Sequence, residues 1–102
     1  MSNQYLKDRN LVEAITLKAL ANGYNVDSYD ESGEHFQSIA DIHALRDSIE
    51  QLDMLDIVMT NKQTDQGHSI VLVNNNDSLI ADFDCELEEN EIFAELVAKY
   101  ES

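Results

Sequence analysis

The chain has 102 residues, with 21 acids against six bases, a formal charge of −15 and 43% apolar residues. That is the size of one domain, residues 1–102, and too apolar for disorder despite the charge. No apolar run approaches the roughly 20 residues of a bilayer span, residues 1–10 (MSNQYLKDRN) lack a signal-peptide core, and one cysteine makes no internal disulfide, so the expectation is a soluble, cytoplasmic protein.

Gln4 to Ala21 reads as the first helix. Leu11, Ala14, Ile15, Leu17, Ala19, Leu20 and Ala21 give it a broad apolar surface rather than a narrow stripe. Asn22-Gly23 stops it, since both residues tolerate the left-handed conformation. Tyr24 to Tyr29 favours a strand by its Tyr and Val content. Asp30-Glu31-Ser32-Gly33 reads as a turn, and His35 to Gln37 as a short returning strand that completes a hairpin.

The second helix is expected to begin at Ser38, with Ser38 and Asp41 resembling a capping box. Ile42, Leu45, Ile49 and Leu52 then form one apolar stripe, and Asp41, His43, Arg46, Asp47, Glu50 and Asp53 lie off it. Leu55 to Thr60 alternates with Leu55, Ile57 and Met59 on one face, the pattern of a half-buried strand. Asn61 to Gly67 is a polar loop. His68 to Val73 is a strand with apolar residues on both faces, as a strand covered on both sides has. Asn74-Asn75-Asn76-Asp77 signals a tight turn, and Leu79 to Phe83 returns as a further strand.

Glu86 to Tyr100 reads as the last helix, burying Ile92, Phe93, Leu96, Val97 and Tyr100. Glu86, Glu88, Glu89 and Glu91 crowd its first turns and Lys99 its last, as the helix dipole favours. The order α-β-β-α-β-β-β-α predicts an α+β domain of two layers: an antiparallel sheet of about five strands, hairpin plus three-strand meander, packed with three helices.

Catalytic signatures are missing. There is no phosphate loop, dinucleotide fingerprint, nucleophile elbow or H-E-x-x-H. His35, His43, His68 and Cys85 could meet at a metal only by convergence in the fold, because their spacing carries no zinc pattern. Asp27 to Ser38 fails as an EF-hand loop, with Ser32 where Gly is needed and Ser38 where the bidentate Glu belongs. Asp84 and Glu86 flank Cys85 and should blunt its thiol. No catalytic residue, metal or cofactor is expected.

The charge is the strongest functional signal. The bases are Lys7, Arg9, Lys18, Arg46, Lys62 and Lys99. Residues 19–98 hold 18 acids and two bases. Such a surface repels nucleic acid and anionic membrane, since phosphate binding needs clustered Lys and Arg. It attracts a basic partner instead. One acidic group is Asp41, Asp47, Glu50, Asp53 and Asp56; the other is Asp82, Asp84, Glu86, Glu88, Glu89, Glu91 and Glu95. B-DNA carries one charge per ~1.7 Å of axis. Carboxylates on adjacent helix turns, ~5.4 Å apart, can imitate a row of phosphates. Solubility alone is the competing explanation.

One pattern resembles a known group. Leu20-Ala21-Asn22-Gly23-Tyr24-Asn25-Val26 followed by Tyr29-Asp30, the Ser38 to Ile42 segment, and His68 to Phe83 with its Val71-Leu72-Val73-Asn74-Asn75-Asn76 turn resemble small acidic proteins encoded by tailed phages and prophages. Asn74-Asn75 stands where that pattern has Tyr-Gly. The resemblance implies a context of inhibitors of host defence or of host DNA-binding proteins. The expectation is a non-enzymatic DNA mimic that blocks a basic nucleic-acid-binding surface of a host protein. Asp41, Asp47, Glu50, Asp53, Glu86, Glu88, Glu89 and Glu91 would be its contact residues. The alternative is an accessory protein, a homodimer included, whose charge serves solubility.

Overall fold

The computed structural model describes residues 3–75, 77–83 and 86–101. Helix α1 (Asn3–Ala21) is followed by β1 (Tyr24–Asp30), β2 (His35–Ser38), α2 (Ile42–Gln51), β3 (Met54–Asn61), β4 (Gly67–Val73), β5 (Ile80–Phe83), α3 (Glu86–Glu89) and α4 (Ala94–Glu101). The strands form one sheet in the order β2-β1-β3-β4-β5, with all neighbours antiparallel. This is the expected α+β architecture: a hairpin, β1–β2, joined to a meander, β3–β4–β5.

The alternation in the strands decides which face is covered. Tyr24, Val26 and Ser28 of β1, Leu55, Ile57 and Met59 of β3, and His68, Ile70 and Leu72 of β4 are all buried. They meet a stripe on α1 formed by Tyr5, Asp8, Leu11, Val12, Ile15, Thr16 and Ala19. That stripe is narrower than the composition of the helix implies, and Leu17 is left half exposed at 52%. Leu45 and Ile49 of α2 and Phe93 and Val97 near the C-terminus complete the core.

The opposite face of the sheet is open. Tyr29, Val58, Val71 and Val73 point to it and are only half-buried, and none of them belongs to the core or packs against it. Apolar residues on both faces of β4 therefore do not mean cover on both sides. The strands on either side shield Val71 partly, without any helix.

Gly23 adopts φ +80° where its N–H reaches the carbonyl of Leu20, which ends α1 as the sequence suggests. Gly33 adopts φ +83° in the β1–β2 turn, where Asp30 Oδ1 accepts from the N–H groups of Ser32 and Glu34. In the β4–β5 connection, Asn75 Oδ1 accepts from Asp77 and Ser78. Asn76 lies outside the described residues.

Two helix boundaries differ from expectation. Ser38 does not start α2; it is the last residue of β2, paired with Asp27, and the N–H of Ile39 still bonds the carbonyl of Val26 at 2.8 Å. Asp41 is the N-cap, and its Oδ1 accepts from Ala44 at 2.9 Å. The last helix is made in two pieces. Asn90 Oδ1 accepts from Ile92 at 2.8 Å, a side-chain bond that competes with the helical pattern. The break seats Phe93 edge-on against Tyr24 and His68, with ring centroids at 5.7 and 6.0 Å.

A buried acid ties the ends of the chain to the sheet. Asp8 is 1% exposed. Its carboxylate accepts from Gln4, from the backbone of Leu79 and Ile80, and from the hydroxyl of Tyr100. Burial pushes its pKa up, but these four donors outweigh burial and hold it below the usual value. Burial and the same bond to Asp8 push the Tyr100 phenol up to about 12.

Candidate partner-binding surface

All eight acids singled out from the sequence are exposed: Asp41, Asp47, Glu50, Asp53, Glu86, Glu88, Glu89 and Glu91. They do not form one continuous row. Asp41 caps α2 beside Ser38 and Ala40, which line a cleft with Tyr24 and Lys62. Helix α2 then packs beside β2, with Asp47 and Glu50 exposed. It ends at Gln51, and Asp53, two residues on, lines a cleft with Asp30 and Glu31. The α2 acids thus follow the β2 edge of the molecule.

The second group clusters at a single place. Glu86, Glu89 and Glu91 rim a cleft of about 600 Å3 whose floor includes Tyr24, Asn61, Gln66 and His68. This cleft lies where β1 begins and β3 ends, since Tyr24 pairs with Asn61. Asp53 lies at the opposite end of β3, a strand about 23 Å long. Glu88 faces away, toward Glu101. A shared hydrogen bond and the like charge of Glu101 raise the Glu88 carboxyl above its ordinary value.

Local bonds already use some of the eight. Asp47 accepts from Gln51 at 2.7 Å and from Gln37 at 3.3 Å. Arg46 and Arg9 serve another acid. Arg46 makes a forked contact with Glu13 at 3.0 and 3.2 Å, and Arg9 reaches the same carboxylate at 3.0 Å. The bond from Arg46 is the main reason Glu13 sits below its usual value.

The histidines do not converge. His35 is exposed at the β2 edge, where Nε2 lies 2.9 Å from Asp27 Oδ1. His43 is exposed on α2. His68 is buried on the helix-covered face, 3.3 Å from Asn90 Nδ2. Ser38 Oγ also donates to Asp27 at 3.2 Å, but the hydroxyl and the imidazole both address the acid, which does not activate the serine. Among the described residues, no group of three His, Cys, Asp or Glu side chains could hold a metal ion. Cys85 and Asp84 lie outside the described residues. No helix among the described residues is long and apolar enough to cross a membrane.

Sequence reasoning passed over two features. Asp8 was visible as a lone acid at a core position of the stripe Tyr5, Leu11 or Val12, Ile15 and Ala19, spaced three or four residues apart. The open sheet face had a weaker signal, in Asp27 and Asp56 interleaved with Tyr29 and Val58.

Comparison with known proteins adds no relative: no family model, no curated protein and no solved structure matches the chain.

Proposed function

We propose that this chain is a non-enzymatic, cytoplasmic inhibitor of phage or prophage type that occupies a basic nucleic-acid-binding surface of a host protein. The observation that carries the reading is the exposure of all eight acids, in a body of 18 acids and two bases. Seven described acids of the two groups, Asp41, Asp47, Glu50, Glu86, Glu88, Glu89 and Glu95, stand on helices or at a helix cap, where turn spacing of ~5.4 Å suits phosphate imitation. Such a field speeds encounter with a cationic surface and screens steeply with salt.

The test is binding to nuclease-treated bacterial lysate protein by the wild type and two charge-reversed variants, Asp47→Lys with Glu50→Lys and Glu86→Lys with Glu89→Lys. The reading expects a basic nucleic-acid-binding protein, retained at low salt, released by moderate salt, and lost with at least one variant that remains folded. Retention that ignores salt and both variants would contradict it.

A second reading is an accessory protein that self-associates. Val58, Val71 and Val73 on an uncovered sheet face favour it. Light scattering over a dilution series separates a stable dimer from a monomer.

A further inference from the structure

We propose that the open face of the sheet, in addition to the acidic helices, is where a basic partner docks, and that it receives a segment carrying arginine and apolar side chains together. This rests on the basic-partner reading above and adds the place and the side-chain chemistry.

Register gives the pattern. Tyr29 of β1, Asp56 of β3, Val71 of β4 and Asp82 of β5 stand in one row across the strands. Neighbouring strands lie about 4.8 Å apart, so apolar and acidic side chains alternate at that spacing. In the next row Asp27 faces Val58. Asp56 therefore has Tyr29 and Val71 on either side, and Met54 and Val58 before and after it on its own strand. Among the described residues, no hydrogen bond or ion pair reaches its carboxylate.

That arrangement selects the occupant. Covering the apolar residues takes Asp56 out of water, and an unpaired buried carboxylate is costly. The cover must bring a cation. The strand positions of this face carry no Lys or Arg, and His35 is engaged with Asp27. A second copy would set Asp27, Asp56 and Asp82 against the same three acids, which like-charge repulsion opposes. Nucleic acid and anionic lipid are opposed by the same sign. A guanidinium fits best, because it pairs with a carboxylate in a fork and stacks on an aromatic ring such as Tyr29.

The probes are two peptides of equal charge, five Arg-Leu repeats and five Arg-Ser repeats, titrated into the isotope-labelled full chain at low salt and followed by amide shifts. The Arg-Leu peptide is expected to bind roughly tenfold tighter, with the largest shifts at Tyr29, Asp56, Val58 and Val71. Asp56→Asn should lower that affinity by a similar factor, while Asp47→Asn should not. The comparison of the two peptides on the wild type stands even if a variant fails to fold. Equal affinity with shifts on α2 and α3 would overturn the docking site and leave the basic-partner reading standing. Absence of binding by either peptide would overturn both. Concentration-dependent shifts of the same face without peptide would assign it to a second copy and overturn the proposal.

Discussion

The hydroxyl of Tyr100 donates a 2.5 Å hydrogen bond to Oδ1 of Asp8, which joins two helices from opposite ends of the chain. Oδ2 of the same carboxylate accepts from the backbone of Leu79 and Ile80 at 2.9 and 3.0 Å. Asp8 thus fixes α1, α4 and the start of β5 to one another. Asp8→Ala strands the buried N–H of Leu79, the part-buried N–H of Ile80 and a hydroxyl, and a buried group left unmade costs about 1–3 kcal/mol. A loss on the order of 3 kcal/mol is expected from urea unfolding. Tyr100→Phe should cost about 1 kcal/mol, and the pair should be non-additive. A change within about 0.5 kcal/mol for Asp8→Ala would remove Asp8 from this role.

The same acid sets a pH dependence. Its folded value lies below the ordinary 3.8, so its contribution to stability is present above that value and fades as pH falls through the folded one. Glu13, lowered mainly by Arg46, behaves alike from its ordinary 4.5. Acid unfolding of Asp8→Asn should therefore be shallower than that of the wild type across that range, because less stability remains to be lost. Equal slopes would contradict the assignment.

Tyr100 acts at the other end of the scale. Its folded value of about 12 lies above the ordinary 10, so its stabilising effect is complete below 10 and is lost as pH rises through about 12. The difference in ultraviolet phenolate absorbance between wild type and Tyr100→Phe should titrate near 12. A difference curve centred near 10 would show that the phenol is not held by Asp8.

Removing the Glu13–Arg46 contact should matter less. Arg46 is 43% exposed at its side chain, so water and salt screen its attraction to Glu13. Arg46→Met is expected to lower the melting temperature only slightly, and the loss should shrink with added salt. A larger, salt-independent loss would indicate packing of the arginine stem instead.

Excess charge works against the fold. Glu88 is raised by its hydrogen bond to Glu101 and by the like charge there, so at neutral pH its ionised form opposes folding. Glu88→Gln should raise the melting temperature, and added sodium chloride should raise that of the wild type. A melting temperature that falls with salt would mean that attractive pairs outweigh the repulsion.

Much of the fold was legible. Leu55, Ile57 and Met59 announce a one-sided strand and are fully covered. Leu45 and Ile49 announce the buried side of α2. What misled was context that a linear pattern does not carry. Ser38 looks like a cap, but backbone pairing of Ile39 with Val26 keeps the chain extended past it. Glu86 to Tyr100 looks like one helix, but the Asn90 side chain takes the N–H of Ile92 and divides it. Val71 and Val73 look buried, because hydropathy does not separate a helix-covered residue from one shielded by adjacent strands. The acids were legible as exposed. Their distribution was not, because only the strand register places Glu86 and Asp53 at opposite ends of β3.

Competition with duplex DNA decides whether the chain occupies a nucleic-acid-binding surface. A basic host protein captured on this chain is challenged with duplex DNA at fixed low salt. DNA is expected to displace the chain, and rising chain concentration to displace DNA, with both midpoints moving steeply with salt. A ternary complex of chain, partner and DNA would contradict it.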